Sequence, residues 1–132
     1  MYHGSCLCGE VTFTINNEIK DIICCHCSLC RKAQGSAFAT NANIKMKNFN
    51  FVSGESNLSS YYSSETQIKL FCKTCGSPIM SKNTLTPDTI RIRLGTIETD
   101  IVERPEAHIF VASKANWEEI SDNLPQYDEY IK

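Results

Sequence analysis

The chain has 132 residues, of which 42% are hydrophobic, so it is long enough to bury one core, and we expect a single domain over residues 1–132. The formal net charge is only -2 and the basic residues are scattered, which argues against a nucleic-acid-binding protein. Neither a secretory signal nor a run of ~20 apolar residues is present, so we expect a complete cytoplasmic protein that does not enter a membrane.

The first predicted elements are a strand and a short helix. Val11, Phe13 and Ile15 alternate with polar residues, which is the pattern of a strand with one buried face. Residues 28–34 predict two helical turns, and Gly35 behind them suits the left-handed conformation that ends many helices.

The middle of the chain predicts further short strands, separated by Gly, Ser, Asn or Pro. The clearest is 89–94, where Ile90 and Ile92 alternate with Arg91 and Arg93, so we expect both arginines on a solvated face. We interpret it as the central strand of a mostly antiparallel sheet. The other predicted strands are 36–41, 49–53, 57–62, 66–71, 78–82 and 107–112.

The C-terminal part predicts a second short helix, from residue 113 through Glu118 and Glu119, because acidic residues suit the N-terminal end of a helix. Trp117 falls within it. We expect Trp117, Phe110 and Phe13 to pack in the core. Together the predicted elements describe a mainly β fold with short helices.

The eight cysteines could form either disulfides or metal sites. Without a secretory signal we expect a reducing compartment, where clustered cysteines usually hold metal. Cys6 and Cys8, like Cys25 and Cys27, are separated by one residue and could pair with each other only through strained geometry. We therefore favour metal binding.

Two tight pairs, Cys6-Leu7-Cys8-Gly9 and Cys72-Lys73-Thr74-Cys75-Gly76, predict one closed zinc site. Each pair is followed by a glycine, which permits the positive φ that such a turn often requires. Four thiolates fill the tetrahedral shell of Zn²⁺, so this site would be structural. The alternative is that these cysteines are buried as free thiols.

A third group, Cys25, Cys27 and Cys30, predicts a second zinc with only three protein ligands. Three ligands leave one position for water or an incoming group, as in catalytic zinc sites. Such a site can bind a substrate thiol as its thiolate. Two alternatives remain: His26 or Cys24 completes the shell, which would make this zinc structural too, or the cysteines hold an iron–sulfur cluster, which usually needs four.

Four blocks of the sequence resemble the signature of one known family. They are residues 4–11 (GSCLCGEV), 25–32 (CHCSLCRK), 71–78 (FCKTCGSP) and 105–111 (PEAHIFV) followed by Trp117. The resemblance is to the glutathione-dependent formaldehyde-activating enzyme family, and it covers roughly residues 3–128. Seven cysteines at matching spacing are far more specific than a single C-x-x-C motif. Cys24 is not part of the family motif.

The resemblance implies a β-tent fold of antiparallel sheets with two Zn²⁺ ions per chain. By this resemblance Cys6, Cys8, Cys72 and Cys75 hold a structural zinc, and Cys25, Cys27 and Cys30 hold a catalytic zinc at which glutathione engages. The implied reaction joins glutathione and formaldehyde into S-hydroxymethylglutathione, which is classed in reverse as a carbon–sulfur lyase.

The residues that bind substrate and transfer protons are not predicted by the zinc ligands. Arg31, Lys32, Arg91 and Arg93 could attract the carboxylates of glutathione, although each is also explained as a solvated charge. His26 could supply a proton or hold the loop. A rival function is a non-catalytic, zinc-stabilised module that binds a protein or a thiol.

Overall fold

The structure is a computed structural model and describes residues 1–131. Within these residues, ten strands and one α-helix follow one another, joined by short loops and 3-10 turns. No helix among the described residues is long and apolar enough to cross a membrane. The elements are β1 (Tyr2–Ser5), β2 (Thr12–Ile15), β3 (Lys20–Cys25), α1 (Ser28–Gln34), β4 (Ala39–Lys45), β5 (Phe49–Ser53), β6 (Leu58–Tyr62), β7 (Gln67–Cys72), β8 (Pro78–Asn83), β9 (Thr89–Arg93) and β10 (Ala107–Ile109).

The strands form two sheets. The smaller sheet has the order β1-β2-β5, and the larger has the order β10-β3-β4-β9-β8-β7-β6. All pairings are antiparallel except that between β10 and β3, which is parallel. The prediction of a mainly β fold with antiparallel sheets is confirmed.

One hydrophobic core contains side chains from both sheets. Phe13 and Ile15 on β2 belong to the same buried cluster as Ile44 on β4 and Ile90 and Ile92 on β9. The alternation that predicted buried faces on β2 and β9 is therefore confirmed for these residues. Because the sheets share this core, the loops at their ends are held in fixed relation to one another.

The helix predicted before Gly35 is also confirmed. It spans Ser28–Gln34, and Gly35 ends it with φ +62° and a hydrogen bond from its amide to the Arg31 carbonyl. At its other end Cys27 is the N-cap, and its sulfur accepts a hydrogen bond from the Cys30 amide. One of the predicted metal ligands therefore also begins the helix.

Three predictions about the chain were wrong. Residues 113–119 form no helix; instead a 3-10 turn spans Val111–Ser113, and Phe110 before it has φ +56°. Trp117 is 68% exposed and Phe110 is only partly buried, so of the three aromatic residues expected in the core only Phe13 lies there. Arg93, expected in solvent, is only 4% exposed, because the far side of β9 is covered at that point. The strands Tyr2–Ser5 and Lys20–Cys25 were not predicted at all.

Candidate functional site

Seven of the eight cysteines gather into two groups that could each hold a metal ion. One group contains four sulfurs and the other three, and within each group the sulfurs lie within 4.8 Å of one another. All eight cysteines are free, so no described residue supports the disulfide alternative. Cys24 belongs to neither group. Its side chain is buried, and it alternates in direction with Cys25 along β3.

The four-cysteine group consists of Cys6, Cys8, Cys72 and Cys75. The Cys6 and Cys8 sulfurs are 3.6 Å apart, and the Cys8 and Cys72 sulfurs are 3.8 Å apart. A tetrahedron with zinc–sulfur bonds of about 2.3 Å has sulfur–sulfur edges of about 3.8 Å. These spacings are far longer than a disulfide bond of about 2 Å and match the shell that zinc prefers. The residues present therefore fit a closed zinc site.

Local backbone geometry presents these four sulfurs. Gly9 and Gly76 follow the two pairs with φ +82° and φ +79°, as the sequence predicted. The Val11 amide and the Asn57 side-chain amide donate hydrogen bonds to the Cys6 and Cys72 sulfurs, both at 3.3 Å. Such donors stabilise negative sulfur, which is the form that binds metal.

This group also joins the two sheets. Cys6 follows β1 of the smaller sheet, and Cys72 ends β7 of the larger one. The Leu7 amide reinforces the junction with a 2.9 Å hydrogen bond to the Ser77 hydroxyl. Hydrogen bonds from the Ser77 hydroxyl and amide lower the pKa of the Cys75 thiol to about 5. The four-cysteine group is therefore placed to cross-link the smaller sheet to the larger one.

The three-cysteine group is built where β3 meets α1. Cys25 ends the strand, Cys27 caps the helix and Cys30 lies in its first turn. Hydrogen bonds with the Cys25 and Cys30 thiols, together with backbone amides at the start of the helix, lower the pKa of the Cys27 thiol to about 2. Cys25 and Cys30 are buried, whereas Cys27 is only partly buried, so the group is approached from the side of Cys27.

No fourth donor completes this group among residues 1–131. Neither His26 nor Cys24 joins the three sulfurs, so the geometry does not support either residue as a fourth ligand. The donor set resembles a zinc site with one position available to another ligand.

The three sulfurs lie in the wall of a cavity of about 440 Å³, here called the cysteine cavity. This volume is within the usual range for a small-molecule site. Apolar side chains line part of the wall, Arg91 and the half-buried Lys69 add positive charge, and Asp21 adds one negative charge. The amide side chains in the wall are Asn41, Asn43 and Gln67.

His26 lies between two of the metal-ligand candidates, but its ring turns away from them into a chain of hydrogen bonds. Its Nε2 is 2.8 Å from Nδ1 of His108, and Nε2 of His108 is 3.0 Å from Oδ2 of Asp122. An ionised carboxylate can only accept, so a neutral His108 donates from Nε2 and accepts at Nδ1, and His26 then donates from Nε2. The hydrogen bond from His108 lowers the pKa of Asp122, which keeps this carboxylate ionised.

This chain of hydrogen bonds anchors the loop between Cys25 and Cys27. The His26 ring is fully buried, and Phe38 packs against both histidine rings. The His26 amide donates to the Ile109 carbonyl at 2.9 Å. Burial, followed by the neighbouring His108, lowers the pKa of His26. A neutral, buried ring suits a loop-holding role better than a proton donor to substrate.

A profile of the glutathione-dependent formaldehyde-activating enzyme family matches residues 1–113. The chain belongs to this family. A protein of Halomonas elongata named "Putative glutathione-dependent formaldehyde-activating enzyme" is 27% identical over 128 residues, which is 91% of this chain and 81% of that protein. An uncharacterised lyase of Schizosaccharomyces pombe is 32% identical over 78 residues, 59% of this chain and 55% of the yeast protein. The match to this second relative therefore spans about half of its length.

The fold is shared with a solved structure as well. A crystal structure of a Rhodobacter sphaeroides protein aligns with a TM-score of 0.63 and 27% identity, covering 78% of this chain and 97% of the bacterial one. The β-tent fold of antiparallel sheets that we expected is thereby confirmed for our chain.

Some residues that shape the site carry no signal in the sequence. The sequence marks His108 only as part of the block at 105–111, and it marks neither Asp122 nor Lys69 as a site residue. Of the four predicted carboxylate-binding residues, Arg91 lines the cysteine cavity, whereas Arg93 is buried and its Nη1 donates a hydrogen bond to Asn41. The spacing of His26 from Asp122 along the chain is too long for any motif to relate them.

Proposed function

We propose that this chain is a zinc-dependent enzyme of the carbon–sulfur lyase type, which joins glutathione or a similar thiol to formaldehyde or another small aldehyde. The observation that carries the proposal is the three-cysteine group, which opens onto the cysteine cavity and lacks a fourth ligand among the described residues. Family membership supports an enzyme whose thiol substrate is glutathione.

In this proposal the two cysteine groups have different roles. Cys6, Cys8, Cys72 and Cys75 hold a structural Zn²⁺ that cross-links the sheets, and Cys25, Cys27 and Cys30 hold the catalytic Zn²⁺. When bound to three thiolates, zinc supplies the Lewis acidity that keeps an incoming thiol in its nucleophilic thiolate form at neutral pH. Free cysteines persist in a reducing compartment, which is why we place the protein in the cytoplasm.

The reaction needs no group beyond the two substrates to balance. The thiol sulfur supplies the electron pair of the new carbon–sulfur bond, the π pair of the carbonyl moves to its oxygen, and that oxygen takes up the proton that the thiol has lost. With glutathione and formaldehyde the product is S-hydroxymethylglutathione. The reverse reaction breaks the same bond and releases both substrates.

The protein side chains contribute position and charge. Arg91 lies in the wall of the cysteine cavity and is suited to hold a carboxylate of glutathione. The amides of Asn41 and Gln67 could donate hydrogen bonds to the aldehyde oxygen as it gains negative charge. Holding the two reactants together converts a bimolecular encounter into an effectively unimolecular step.

The experiment combines a metal count, X-ray absorption at the zinc edge and steady-state kinetics with glutathione and formaldehyde. We expect two zinc ions per chain, an added sulfur ligand when glutathione is present, and a loss of at least about 100-fold in kcat/KM for Cys27→Ser. Cys24→Ala is the matched control, since Cys24 lies next to the group without joining it.

Two results would overturn the proposal in different ways. Equal turnover by Cys27→Ser and the wild type would remove the catalytic role of the three-cysteine group. A zinc environment that does not change in millimolar glutathione, with no turnover by the wild type, would favour the rival function, a zinc-stabilised interaction module.

A further inference from the structure

A second cavity, of about 370 Å³, adjoins the cysteine cavity but contains none of the cysteines in its wall. We call it the α1 cavity, because Leu29, Lys32 and Ala33 of α1 form one side of it. It shares Leu29, Ser63 and Lys69 with the cysteine cavity, so the two spaces meet at these residues. The apolar side chains of its wall are Leu29, Ala33, Leu70, Phe71, Pro78 and Met80.

The charged residues in this wall are all basic. They are Lys32, Lys69 and Arg93, and no aspartate or glutamate accompanies them in the described part of the chain. An apolar space with cations and no acid favours a ligand that combines an apolar body with a negative charge.

Arg93 is the strongest sign of a missing anion. Its side chain is 96% shielded from solvent, yet no carboxylate within residues 1–131 forms an ion pair with it. Its Nη1 donates to the Asn41 side-chain oxygen, whereas its Nε has no hydrogen-bond partner among the described residues. Burying an unpaired charge costs several kcal/mol, so a charged group in this position is normally matched by an opposite one.

Lys69 adds a second positive charge at the boundary of the two cavities. It is half-buried, and burial, followed by repulsion from Arg93, lowers the pKa of its ammonium group. The thiolates of the three-cysteine group attract both cations and balance part of this positive charge, although the three sulfurs lie in the wall of the cysteine cavity and not of the α1 cavity. Two neighbouring cations at the edge of an apolar space are the arrangement that a carboxylate would neutralise.

We propose that the α1 cavity binds a small apolar carboxylic acid, with Arg93 and Lys69 holding the carboxylate and the apolar wall enclosing the rest. Arg93 and Lys69 both line this wall, so a carboxylate in the cavity would lie beside two positive charges. The volume accommodates about a dozen water-sized groups at ~30 Å³ each, which is far more than formaldehyde needs. Because none of the three sulfurs that would hold the thiol lies in this wall, the proposed ligand is a second molecule beside the thiol, and the site does not depend on the proposed reaction.

The test measures binding of hydrocinnamate to the zinc-loaded protein by isothermal titration calorimetry, with hydrocinnamamide as the uncharged comparison. We expect the acid to bind and the amide to bind at least about tenfold more weakly, because the amide carries no charge for Arg93 and Lys69. Lys69→Gln and Arg93→Gln should each weaken binding of the acid about tenfold or more. Ala33→Phe should abolish it by filling the cavity.

Lys45→Gln is the matched control, since it removes one positive charge from an exposed position on β4 outside this wall. Thermal unfolding and zinc content identify any variant that has lost its fold. If Arg93→Gln proves unstable, Lys69→Gln and Ala33→Phe decide the question. Equal binding of acid and amide, or wild-type binding by the folded variants, would overturn the proposal.

A final measurement repeats the titration in saturating glutathione. Simultaneous binding supports a separate site, whereas mutually exclusive binding would mean that the carboxylate belongs to the thiol itself and would overturn the claim of a second ligand. X-ray absorption on the same samples reports sulfur binding at zinc. Failure of the carboxylate site is thus distinguishable from failure of the proposed function.

Discussion

Replacing His108 with phenylalanine tests the hydrogen-bonded chain behind the three-cysteine loop. The substitution keeps an aromatic ring against Phe38 but removes the acceptor 2.8 Å from Nε2 of His26. His26 is fully buried and would then carry a donor without a partner. We therefore expect a larger loss of stability than the loss of one hydrogen bond would cause.

The size of the effect follows from burial. An unsatisfied buried donor costs about 1–3 kcal/mol and the lost hydrogen bond about 1 kcal/mol, so His108→Phe should lower the free energy of unfolding by about 2–4 kcal/mol. For a chain of this length each kcal/mol corresponds to about 3–5 °C in Tm. Urea denaturation of the zinc-loaded protein, with the metal content measured in parallel, gives this change in the free energy of unfolding directly.

The double variant His26→Phe/His108→Phe separates the hydrogen bond from the packing. It removes donor and acceptor together, so it should be about 2 kcal/mol more stable than the sum of the two single changes predicts. His3→Phe, at an exposed position, controls for the change of residue type. Strictly additive losses in the double variant would show that the two rings are not coupled, and the assignment of donors along the chain would then be wrong.

Two further predictions concern acid and chelation. Because its pKa is lowered in the folded state, Asp122 contributes stability that is fully present above its unfolded pKa of about 3.9 and is lost as the pH falls through the lower folded value. The difference in urea midpoint between wild type and Asp122→Asn should therefore be constant near neutral pH and shrink below about pH 4; a difference that grows on acidification would contradict this sign. Separately, Cys72→Ser should lower Tm in calorimetry far more than Cys27→Ser, because of the two groups it is the four-cysteine group that cross-links the sheets. A strong chelator should lower the Tm of the wild type to that of Cys72→Ser. Equal losses in the two variants would remove the distinction between a structural and an open site.

Local chemistry made much of this protein predictable from its sequence. Strands with an alternating pattern, such as Phe49–Ser53 and Thr89–Arg93, and the helix that ends at Gly35 depend on short-range periodicity and backbone conformation. The two cysteine groups were also predictable, since a metal site constrains the types and spacing of its ligands within each segment.

The placement of charges and of the histidine chain was decided by tertiary structure. The alternation along β9 predicted that Arg91 and Arg93 share an exposed face, but β9 is an interior strand of the larger sheet, and the chain covers Arg93 while leaving Arg91 in solvent. His26, His108 and Asp122 meet because β10 pairs in parallel with β3, which brings distant segments side by side. Periodicity predicts which face of its own strand a side chain occupies. What packs against that face depends on long-range strand pairing, which the local sequence pattern does not predict.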